Sequence, residues 1–462
     1  MDTKKLRQKI LDLAIHGKLV PQDPNDEPAS VLLERIRSEK ERLIKEGKIK
    51  RSRKTTKTSD DACDKQEVPF EVPSGWVWCL LEDLAYVAAG STPNKEAFVA
   101  KGIPYIKMYN LRMQKIDFDF HPQYIKREIH EGKLYRSRTE IGDLLMNIVG
   151  PPLGKLAVIP STLPEGNFNQ AAVLIRPYQH KELLVKYLFY YLSEMSEISS
   201  ISTKGSAGQV NISLTQSQNM RIPLPPLVEQ QRIVEEVERW FKLIDIIEQG
   251  KADLQSTIKQ AKNKILDLAI HGKLVPQDPN DEPASELLKR INPKAEITCD
   301  NGHYPKLPKG WAMTSMQEVC RLIDGEKLNN RTLTNLDARF LRGLSDGKVL
   351  KEGRYVPVNT CMILVDGENS GEVFITPMEG YQGSTFKQLS FNVNMNKEYI
   401  LYIITQNRKA LRENKVGSAI PHLNKKLFKA IQVPIPPYAE QERIVCAINT
   451  AFNKLNTIEE SL

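Results

Sequence analysis

The chain has 462 residues and a formal net charge of +8, with 40% hydrophobic and 26% charged residues, as expected for a globular protein of two or three domains. It contains no run of about 18 apolar residues, which excludes a membrane span, and its charged N-terminus does not resemble a signal peptide. The six cysteines form no CxxC pair, so they indicate no zinc site and favour a reducing cytoplasm. The basic balance favours an acidic partner, nucleic acid first.

The N-terminal segment, residues 1–46, is predicted to be helical. A mainly apolar stripe, the seam, follows one face of this helix in steps of three and four residues. Its members are Thr3, Leu6, Ile10 and Leu13. Gly17, followed by prolines at positions 21 and 24, predicts the end of this helix. A second, charged helix is predicted from about residue 29 to residue 46.

A basic linker, residues 47–69, comes next. Six residues between positions 47 and 57 are Lys or Arg, and none is acidic. Such a strip could bind phosphate. A solvated linker is the simpler interpretation, because the corresponding linker of the second half, residues 292–304, is nearly neutral.

The first variable region, residues 70–226, is predicted to be a mixed domain that Trp76 and Trp78 open as core anchors. Strands are predicted at 87–93 (ending in a turn), 103–106, 143–150 and 170–176, and a helix is predicted at 183–197. The second variable region, residues 305–437, follows the same plan, with the stretch 359–367 in the place of 143–150. The short strands and helices lack βαβ regularity, which argues for an α+β fold.

A single long helix is predicted from residue 229 to about residue 271, within a central conserved segment of residues 227–291. Its seam alternates in steps of four and three, with Lys251 as the one polar member, at Ile233, Val237, Trp240, Ile244, Ile247, Lys251, Leu254, Ile258, Ala261, Ile265 and Leu268. The C-terminal segment, residues 438–462, and the N-terminal segment continue this seam. We expect the central helix to pair antiparallel with the joined tail and head. A coiled coil between two chains is the alternative.

A duplication underlies this order. Residues 9–30 return letter for letter as residues 264–285, an identity over 22 positions that cannot arise by chance. The turn Val-Pro-Ser-Gly-Trp at 72–76 returns at 307–311 as Leu-Pro-Lys-Gly-Trp, and the Pro-rich hinge at 223–234 returns at 434–445. By these offsets the tail and head together rebuild the central segment except for residues 252–255. We therefore predict a circular pseudo-twofold repeat with neighbouring chain termini.

The contrast between the copies carries a functional prediction. The helical parts are identical over the repeated run, whereas the variable regions share little beyond landmarks. Identical surfaces suit identical partners, and divergent surfaces on a common frame suit two different targets. A recent local gene conversion without functional demand is the alternative explanation of the identity.

These landmarks resemble one family. Pro-x-Gly-Trp opens each variable region, Pro-[Leu/Ile]-Pro-Pro-x-x-Glu-Gln-x-Arg-Ile-Val closes it, and the helix ends in Leu-Ala-Ile-His-Gly-Lys-Leu-Val-Pro-Gln. Over essentially its full length the chain resembles the specificity subunit of type I restriction-modification systems. The resemblance implies two target recognition domains, each reading half of a split DNA site. It also implies helices that space these domains and bind two methyltransferase (modification) subunits, which restriction subunits then join.

Motifs for catalysis or cofactors are not found. In 434–438 the tripeptide Pro-Pro-Tyr follows Ile435, which cannot hydrogen-bond a target amino group as the Asn, Asp or Ser of an adenine methyltransferase does. The stretch 150–156 is one residue too short for a phosphate loop and lacks its Ser or Thr. We therefore predict a non-catalytic, cytoplasmic chain with no cofactor and no metal.

Candidate DNA contacts are polar side chains of the variable-region loops, since Arg, Lys, Asn and Gln read base edges and Ser, Thr and Lys hold phosphates. In the first domain they are Ser91, Thr92, Lys107, Asn110, Arg112, Lys155, Lys204, Ser206 and Gln209. In the second they are Asn329, Asn330, Arg331, Arg342, Asn369, Ser370, Lys415, Ser418 and His422. Each alone could equally be a solvated surface residue. Two other functions compete with DNA specificity: a paired-domain adaptor that binds proteins, and a self-contained methyltransferase, against which the missing cofactor loop argues.

Overall fold

The computed structural model describes residues 2–49, 69–150, 153–194, 211–293, 307–414 and 422–462. The chain forms two compact units, Met1–Gln249 (unit 1) and Gly250–Leu462 (unit 2). Each unit holds one copy of the repeated run and one variable region. The mixed helix and strand content of both units confirms the predicted α+β class.

Unit 1 contains the first six helices and the first part of the long helix. The helices are α1 (Thr3–Ile15), α2 (Ala29–Lys45), α3 (Leu81–Leu84), α4 (Arg127–Glu131), α5 (Lys181–Glu194), α6 (Leu214–Gln218) and α7 (Leu227–Ile270), which continues into unit 2. The strands are β1 (Val77–Leu80), β2 (Ala85–Ala89), β3 (Phe98–Val99), β4 (Ile103–Ile106), β5 (Leu111–Arg112), β6 (Lys115–Ile116), β7 (Tyr124–Ile125), β8 (Arg138–Thr139), β9 (Leu144–Asn147), β10 (Leu156–Val158), β11 (Gly166–Phe168), β12 (Ala172–Pro177) and β13 (Arg221–Leu224).

Unit 2 repeats the plan with different proportions. Its helices are α8 (Ala284–Ile291), α9 (Met316–Val319), α10 (Ala338–Leu341), α11 (Lys397–Gln406), α12 (Arg408–Glu413), α13 (Lys425–Ala430) and α14 (Tyr438–Glu460). Its strands are β14 (Ala312–Ser315), β15 (Cys320–Ile323), β16 (Lys327–Leu336), β17 (Val349–Val356), β18 (Cys361–Leu364), β19 (Val373–Ile375), β20 (Gly380–Gln382), β21 (Phe386–Phe391) and β22 (Gln432–Ile435).

The variable domains share a four-stranded sheet and differ in what is added to it. In unit 1 the shared sheet has the order β10-β9-β12-β2, and the addition is a five-stranded sheet with the order β3-β7-β4-β11-β8. In unit 2 the sheet has the order β15-β21-β18-β19, and the addition is a small closed barrel of β16, β17 and β20. The two additions share no strand pattern, which agrees with the sequence divergence of the variable regions.

The predicted helices are found, and the scaffold helices run antiparallel within each unit. In unit 1, Arg7 of α1 bonds Glu248 of α7 at 3.2 Å, and farther along the chain Arg232 of α7 bonds Asp26. In unit 2, Lys262 of α7 bonds Glu459 near the end of α14 at 2.8 Å, and farther along the chain Gln277 bonds Glu440 near the start of α14 at 3.2 Å. The head and the tail of the chain are therefore the antiparallel intramolecular partners of the central helix, as predicted.

The seam of α7 is not buried along its whole length. Ile233, Val237, Ile244 and Ile258 are buried, but Ile247 is 36% exposed and Leu254 is 38% exposed. Part of the seam is therefore open to water near the middle of the helix.

Glycine ends both scaffold helices for a steric reason. Gly17 and Gly272 have positive φ angles, 65° and 63°, which L side chains rarely adopt. A Cβ at Gly17 would also lie 2.5 Å from Cγ of Pro73, and one at Gly272 would lie 2.3 Å from Cγ of Pro308. The end of each helix therefore packs directly on the proline of the Pro-Gly-Trp turn.

Candidate nucleic-acid interface

A buried carboxylate joins three of the sequence landmarks in unit 1. Trp76 Nε1 donates a hydrogen bond to Glu229 Oε2 at 3.0 Å, and Gln22 Nε2 donates to Glu229 Oε1 at 2.6 Å. Arg232, one turn along α7, bonds Asp26 at 2.6 Å. These five residues, the unit-1 clamp, fasten the opening turn of the variable domain and the repeated run to the start of the long helix.

Unit 2 contains the same arrangement. Trp311 Nε1 donates to Glu440 Oε2 at 3.0 Å, Gln277 Nε2 donates to Glu440 Oε1 at 3.2 Å, and Arg443 bonds Asp281 at 2.6 Å. We call these five residues the unit-2 clamp. The agreement of the two clamps explains the repeated motifs: Gln and Asp come from the repeat, Trp from the turn, and Glu and Arg from the hinge helix.

The two ends of each variable domain leave the scaffold side by side. In unit 1, β1 and β13 pair antiparallel, with Val77 opposite Leu224. In unit 2, β14 and β22 pair in the same way, with Ala312 opposite Ile435. Each domain is therefore carried on a two-strand stalk next to its clamp, and its remaining surface can vary without disturbing the attachment.

The clamp glutamates make the stability of both units depend on pH. Burial raises the pKa of Glu229 and of Glu440, and the N–H groups of the clamp Gln and Trp partly oppose that rise. The folded state then binds a proton at these carboxyls more tightly than the unfolded chain does. As pH falls from 7 towards the unfolded value of 4.5, the free energy of unfolding of the wild type should rise relative to that of Glu229→Gln/Glu440→Gln.

Urea unfolding at several pH values, taken as wild type minus variant, measures this effect while the other carboxyl groups cancel. A difference that does not change with pH, or that falls on acidification, would contradict the assignment of the clamps as buried carboxyl sites.

In domain 1 the structure brings the described candidate residues into one neighbourhood. The Tyr105 hydroxyl donates to the carbonyl of Ser91 at 3.0 Å, and its oxygen lies 3.3 Å from Thr92 Oγ1. Lys107 lies over the Phe98 ring at 5.7 Å, and that ring meets Tyr105 edge-on at 5.3 Å. Two further candidates, Arg112 and Lys155, line a common hollow of about 610 Å³.

Asn110 has a different role from the one the sequence suggested. It is 1% exposed, its Oδ1 accepts from Lys107 N at 2.9 Å, and its Nδ2 donates to the carbonyls of Asp117 and Phe120 at 3.0 and 2.8 Å. The amide is fully used inside the loop, so Asn110 holds the loop in shape and the residues around it are the ones that face outward.

In domain 2 the described candidates fall into two groups. Asn329, Asn330 and Arg331 lie on strand β16, not in the loop expected from sequence, at an irregularity in the pairing with β17. The remaining candidates surround the turn after β18. His422 Nδ1 lies 2.7 Å from Asp366 Oδ1 there, and Arg342 bonds Glu372.

Ser370 lies inside that turn rather than on its surface. The residue is fully buried, and its Oγ has no hydrogen-bond partner among the residues that the structure describes. Asn369 next to it is exposed. The candidates Lys204, Ser206, Gln209, Lys415 and Ser418 lie outside the described residues.

Each domain has at least one exposed arginine that is held in position by a carboxylate and a ring. The Arg112 guanidinium lies 4.0 Å from the centre of the Phe120 ring, with Nε 3.6 Å from Asp117. The Arg331 guanidinium lies 5.5 Å from the Tyr355 ring, with Nη2 2.6 Å from Glu379. A fixed, solvent-exposed guanidinium is the group best suited to bind the O6 and N7 atoms of guanine.

Sequence reasoning missed several surface residues next to these arginines. In domain 1 these are Met113, Gln114, Lys115 and Phe120, and in domain 2 they are Lys327 and Lys351, all exposed. The domain 1 residues lie on or near a hairpin whose two short strands are separated by only two residues. Without Asn or Gly in the turn, that spacing is too weak a pattern to predict a hairpin. Across the part of the chain that is described, no helix is long and apolar enough to cross a membrane.

The family follows from these features and from comparison with known proteins. The family model of the type I restriction modification DNA specificity domain matches residues 73–256 and 308–462, and the chain belongs to this family. The matched segments begin at the Pro-Gly-Trp turns and run into the scaffold helices, which confirms the resemblance found in the sequence.

The chain is similar to specificity subunits from Escherichia coli. It is 27% identical to that of the type I restriction enzyme EcoAI, over 99% of this chain and 90% of the relative. It is 34% identical to that of EcoEI, over 70% of this chain and 62% of the relative. A solved structure from work on complex assembly and conformational transition of the type I R-M system matches with a TM-score of 0.59 and 17% identity, over 85% of this chain and 94% of that one, and shows the same fold.

Proposed function

We propose that the chain reads a bipartite DNA site for a type I restriction-modification complex, with one variable domain on each half of the site. The repeated helical segments dock two methyltransferase subunits, and restriction subunits join that assembly in the cytoplasm. The chain itself contributes recognition and spacing, and its partners supply the catalytic groups and the cofactor.

One observation carries this proposal: two identical attachments hold two different domains. The clamps agree bond for bond, while the additions to the shared sheet are a five-stranded sheet in one unit and a barrel in the other. Two identical clamps that carry domains with different outer surfaces suit a molecule that reads two distinct half-sites. The alternative is an adaptor whose paired domains bind proteins, and the basic balance of the chain and its polar loops argue against it.

The exposed part of the repeat supports docking of two copies of one partner. Residues 21–25 and 276–280, Pro-Gln-Asp-Pro-Asn in both copies, are exposed. Of these, only the glutamine takes part in a clamp, and the asparagine donates to the aspartate within the loop, Asn25 to Asp23 and Asn280 to Asp278. In unit 2 this stretch borders a hollow of about 660 Å³ that also includes Pro308 and Trp311. An exposed surface that is repeated letter for letter is what two identical partners would select.

The positioned arginines provide the test. Arg112→Ala should weaken binding of the half-site read by domain 1 by about tenfold, and Arg331→Ala should do the same only for the half-site read by domain 2, since one good base contact contributes about 1–3 kcal/mol. The measurement is fluorescence-anisotropy titration of duplexes in which one half-site at a time is scrambled, with the methyltransferase subunits present and salt held constant.

The two variants control for each other, because each leaves the opposite domain untouched. Equal losses at both half-sites, or unchanged affinity in both variants, would argue against separate reading by the two domains. Binding that does not weaken with increasing salt would argue against a DNA interface altogether.

A further inference from the structure

The tip of the hairpin formed by β5 and β6 combines backbone strain with full exposure. Leu111 pairs with Ile116 and Arg112 pairs with Lys115, which leaves a turn of two residues, Met113 and Gln114. Both have positive φ angles, 46° and 59°. A two-residue hairpin turn requires this geometry, and Asn or Gly normally supplies it because a larger side chain meets the following carbonyl.

The strained residue places a large apolar side chain in water. Met113 is 95% exposed, whereas the strand residue Leu111, two positions earlier, is 3% exposed. An Asn-Gly turn would relieve the strain and remove the exposed thioether. Met113 therefore combines a strained backbone with an exposed apolar side chain. Residues that go against local structural preference in this way are found at functional sites.

The base of the hairpin is rigid, so the tip is held in a defined place. The buried Asn110 amide bonds the backbone on both sides of the hairpin, at Lys107, Asp117 and Phe120, with distances of 2.8–3.0 Å. The loop is therefore closed immediately behind the strands, and Met113 projects from a fixed support.

Positive charge surrounds the tip. Arg112 and Lys155 line the hollow of about 610 Å³ that Met113 also borders, and Lys115 is exposed on the adjoining strand. The acids of this loop are Asp117, whose Oδ2 lies 3.6 Å from Arg112 Nε and whose Oδ1 accepts from Phe120 N at 3.3 Å, and the exposed Asp119. Phe120, 39% exposed, also lines this hollow, but Met113 at 95% exposure is the side chain that projects. A projecting apolar tip with cations around it matches stacked bases flanked by phosphates.

We propose that Met113 is a wedge that enters between stacked base pairs of the half-site read by domain 1, with Arg112, Lys115 and Lys155 on the neighbouring phosphates. Unbranched apolar side chains act in this way in proteins that unstack and bend DNA. The inference rests on the proposed function and deepens it, because it identifies DNA distortion as part of recognition by domain 1.

The test uses the full chain with its methyltransferase subunits and a duplex carrying the motif that this complex methylates in cells. 2-Aminopurine replaces one base at a time across the first half-site, outside the methylated adenine, and its fluorescence rises where stacking is lost. With the wild type, 2-aminopurine fluorescence should rise at one base-pair step of the first half-site. Met113→Ala should abolish that rise and lower the affinity for the duplex by about tenfold.

Three further variants separate the wedge from folding. Met113→Leu should keep the signal. Met113→Asn/Gln114→Gly should lose it while the melting temperature of the chain rises by about 3 °C, since the turn strain is relieved. Met378→Ala is the matched control, because Met378 is an exposed methionine of domain 2, 42% exposed, and should leave the first half-site unchanged.

The outcomes distinguish the wedge from the proposed function. If wild type binds the duplex specifically and Met113→Ala retains the fluorescence and an affinity within twofold, the wedge is overturned and the proposed function stands. If Met113→Ala instead weakens assembly with the methyltransferase subunits without DNA, the tip contacts protein and the wedge is again overturned. If wild type shows no preference for the motif, both proposals fail.

Discussion

Replacing Trp76 with alanine is expected to destabilise unit 1 by about 3–5 kcal/mol, the usual loss for a buried tryptophan. The variant removes the ring that packs against the end of the scaffold helix at Gly17 and one of the two donors to Glu229. Hydrogen exchange should then be faster in β1 and β13, the stalk of domain 1, than in β14 and β22, the stalk of domain 2.

Trp76→Phe separates the hydrogen bond from the packing. It keeps an aromatic ring and leaves the buried Glu229 with the Gln22 donor alone, so we expect a loss of about 1–3 kcal/mol. The mirror variants Trp311→Ala and Trp311→Phe should show the opposite pattern of exchange, in unit 2. If either set of variants loosened both stalks equally, the two clamps would not be the separate attachments described above.

The second large effect concerns specificity. A chain in which residues 307–437 are replaced by a copy of residues 72–226 should fold, because the inserted domain carries its own Trp76 and its own hinge and meets the same repeated run. Its methylated site should change completely in one half. With the pseudo-twofold predicted from the sequence, the new motif should be a symmetric repeat of the first half-site.

The reciprocal chimera, with domain 2 in both positions, should give a symmetric repeat of the second half-site. Methylome sequencing of cells that express each chimera with the methyltransferase measures this directly. A chimera that folds, judged by circular dichroism and exchange of both stalks, yet still directs methylation to the original asymmetric motif would refute independent reading by the two domains.

The repeated letters predicted the duplicated frame that carries the domains. Identity of residues 9–30 with 264–285 and the two Pro-Gly-Trp turns pointed to a duplicated frame, and the 3.5-residue seam predicted α7 nearly to its ends. These features are visible in sequence because the clamp needs particular side chains at fixed places. The sequence did not reveal which of them touch, since Gln22 and Glu229 are 207 positions apart.

The outer surfaces were predicted less well, for physical reasons. Asn329, Asn330 and Arg331 were expected in a polar loop, yet they lie in the ten-residue strand β16. Most of its side chains are exposed or half-buried on both faces, so the alternation that marks a half-buried strand is absent. Asn110 was selected for its amide, although a buried amide that holds a loop has the same sequence signature as an exposed one that reads a base.

The Met113 turn shows a further limit of sequence reasoning. Hairpins are recognised by Asn-Gly or Gly-rich pairs, and the pair Met-Gln offers no such signal. Only the backbone angles and the exposure of the side chain reveal that the turn is strained. Sequence patterns reflect the conformations that each residue type prefers. Residues that a functional site holds in other conformations are therefore the hardest to find from patterns.

The measurement that tests the central claim most directly is a map of adenine methylation in the host genome, with the gene present, deleted and restored. The account predicts that deletion removes one bipartite motif, that restoration returns it, and that the two halves of the motif correspond to the two variable domains. A methylation map that is unchanged by deletion, from cells in which the methyltransferase subunit is expressed, would contradict the claim that this chain directs sequence recognition.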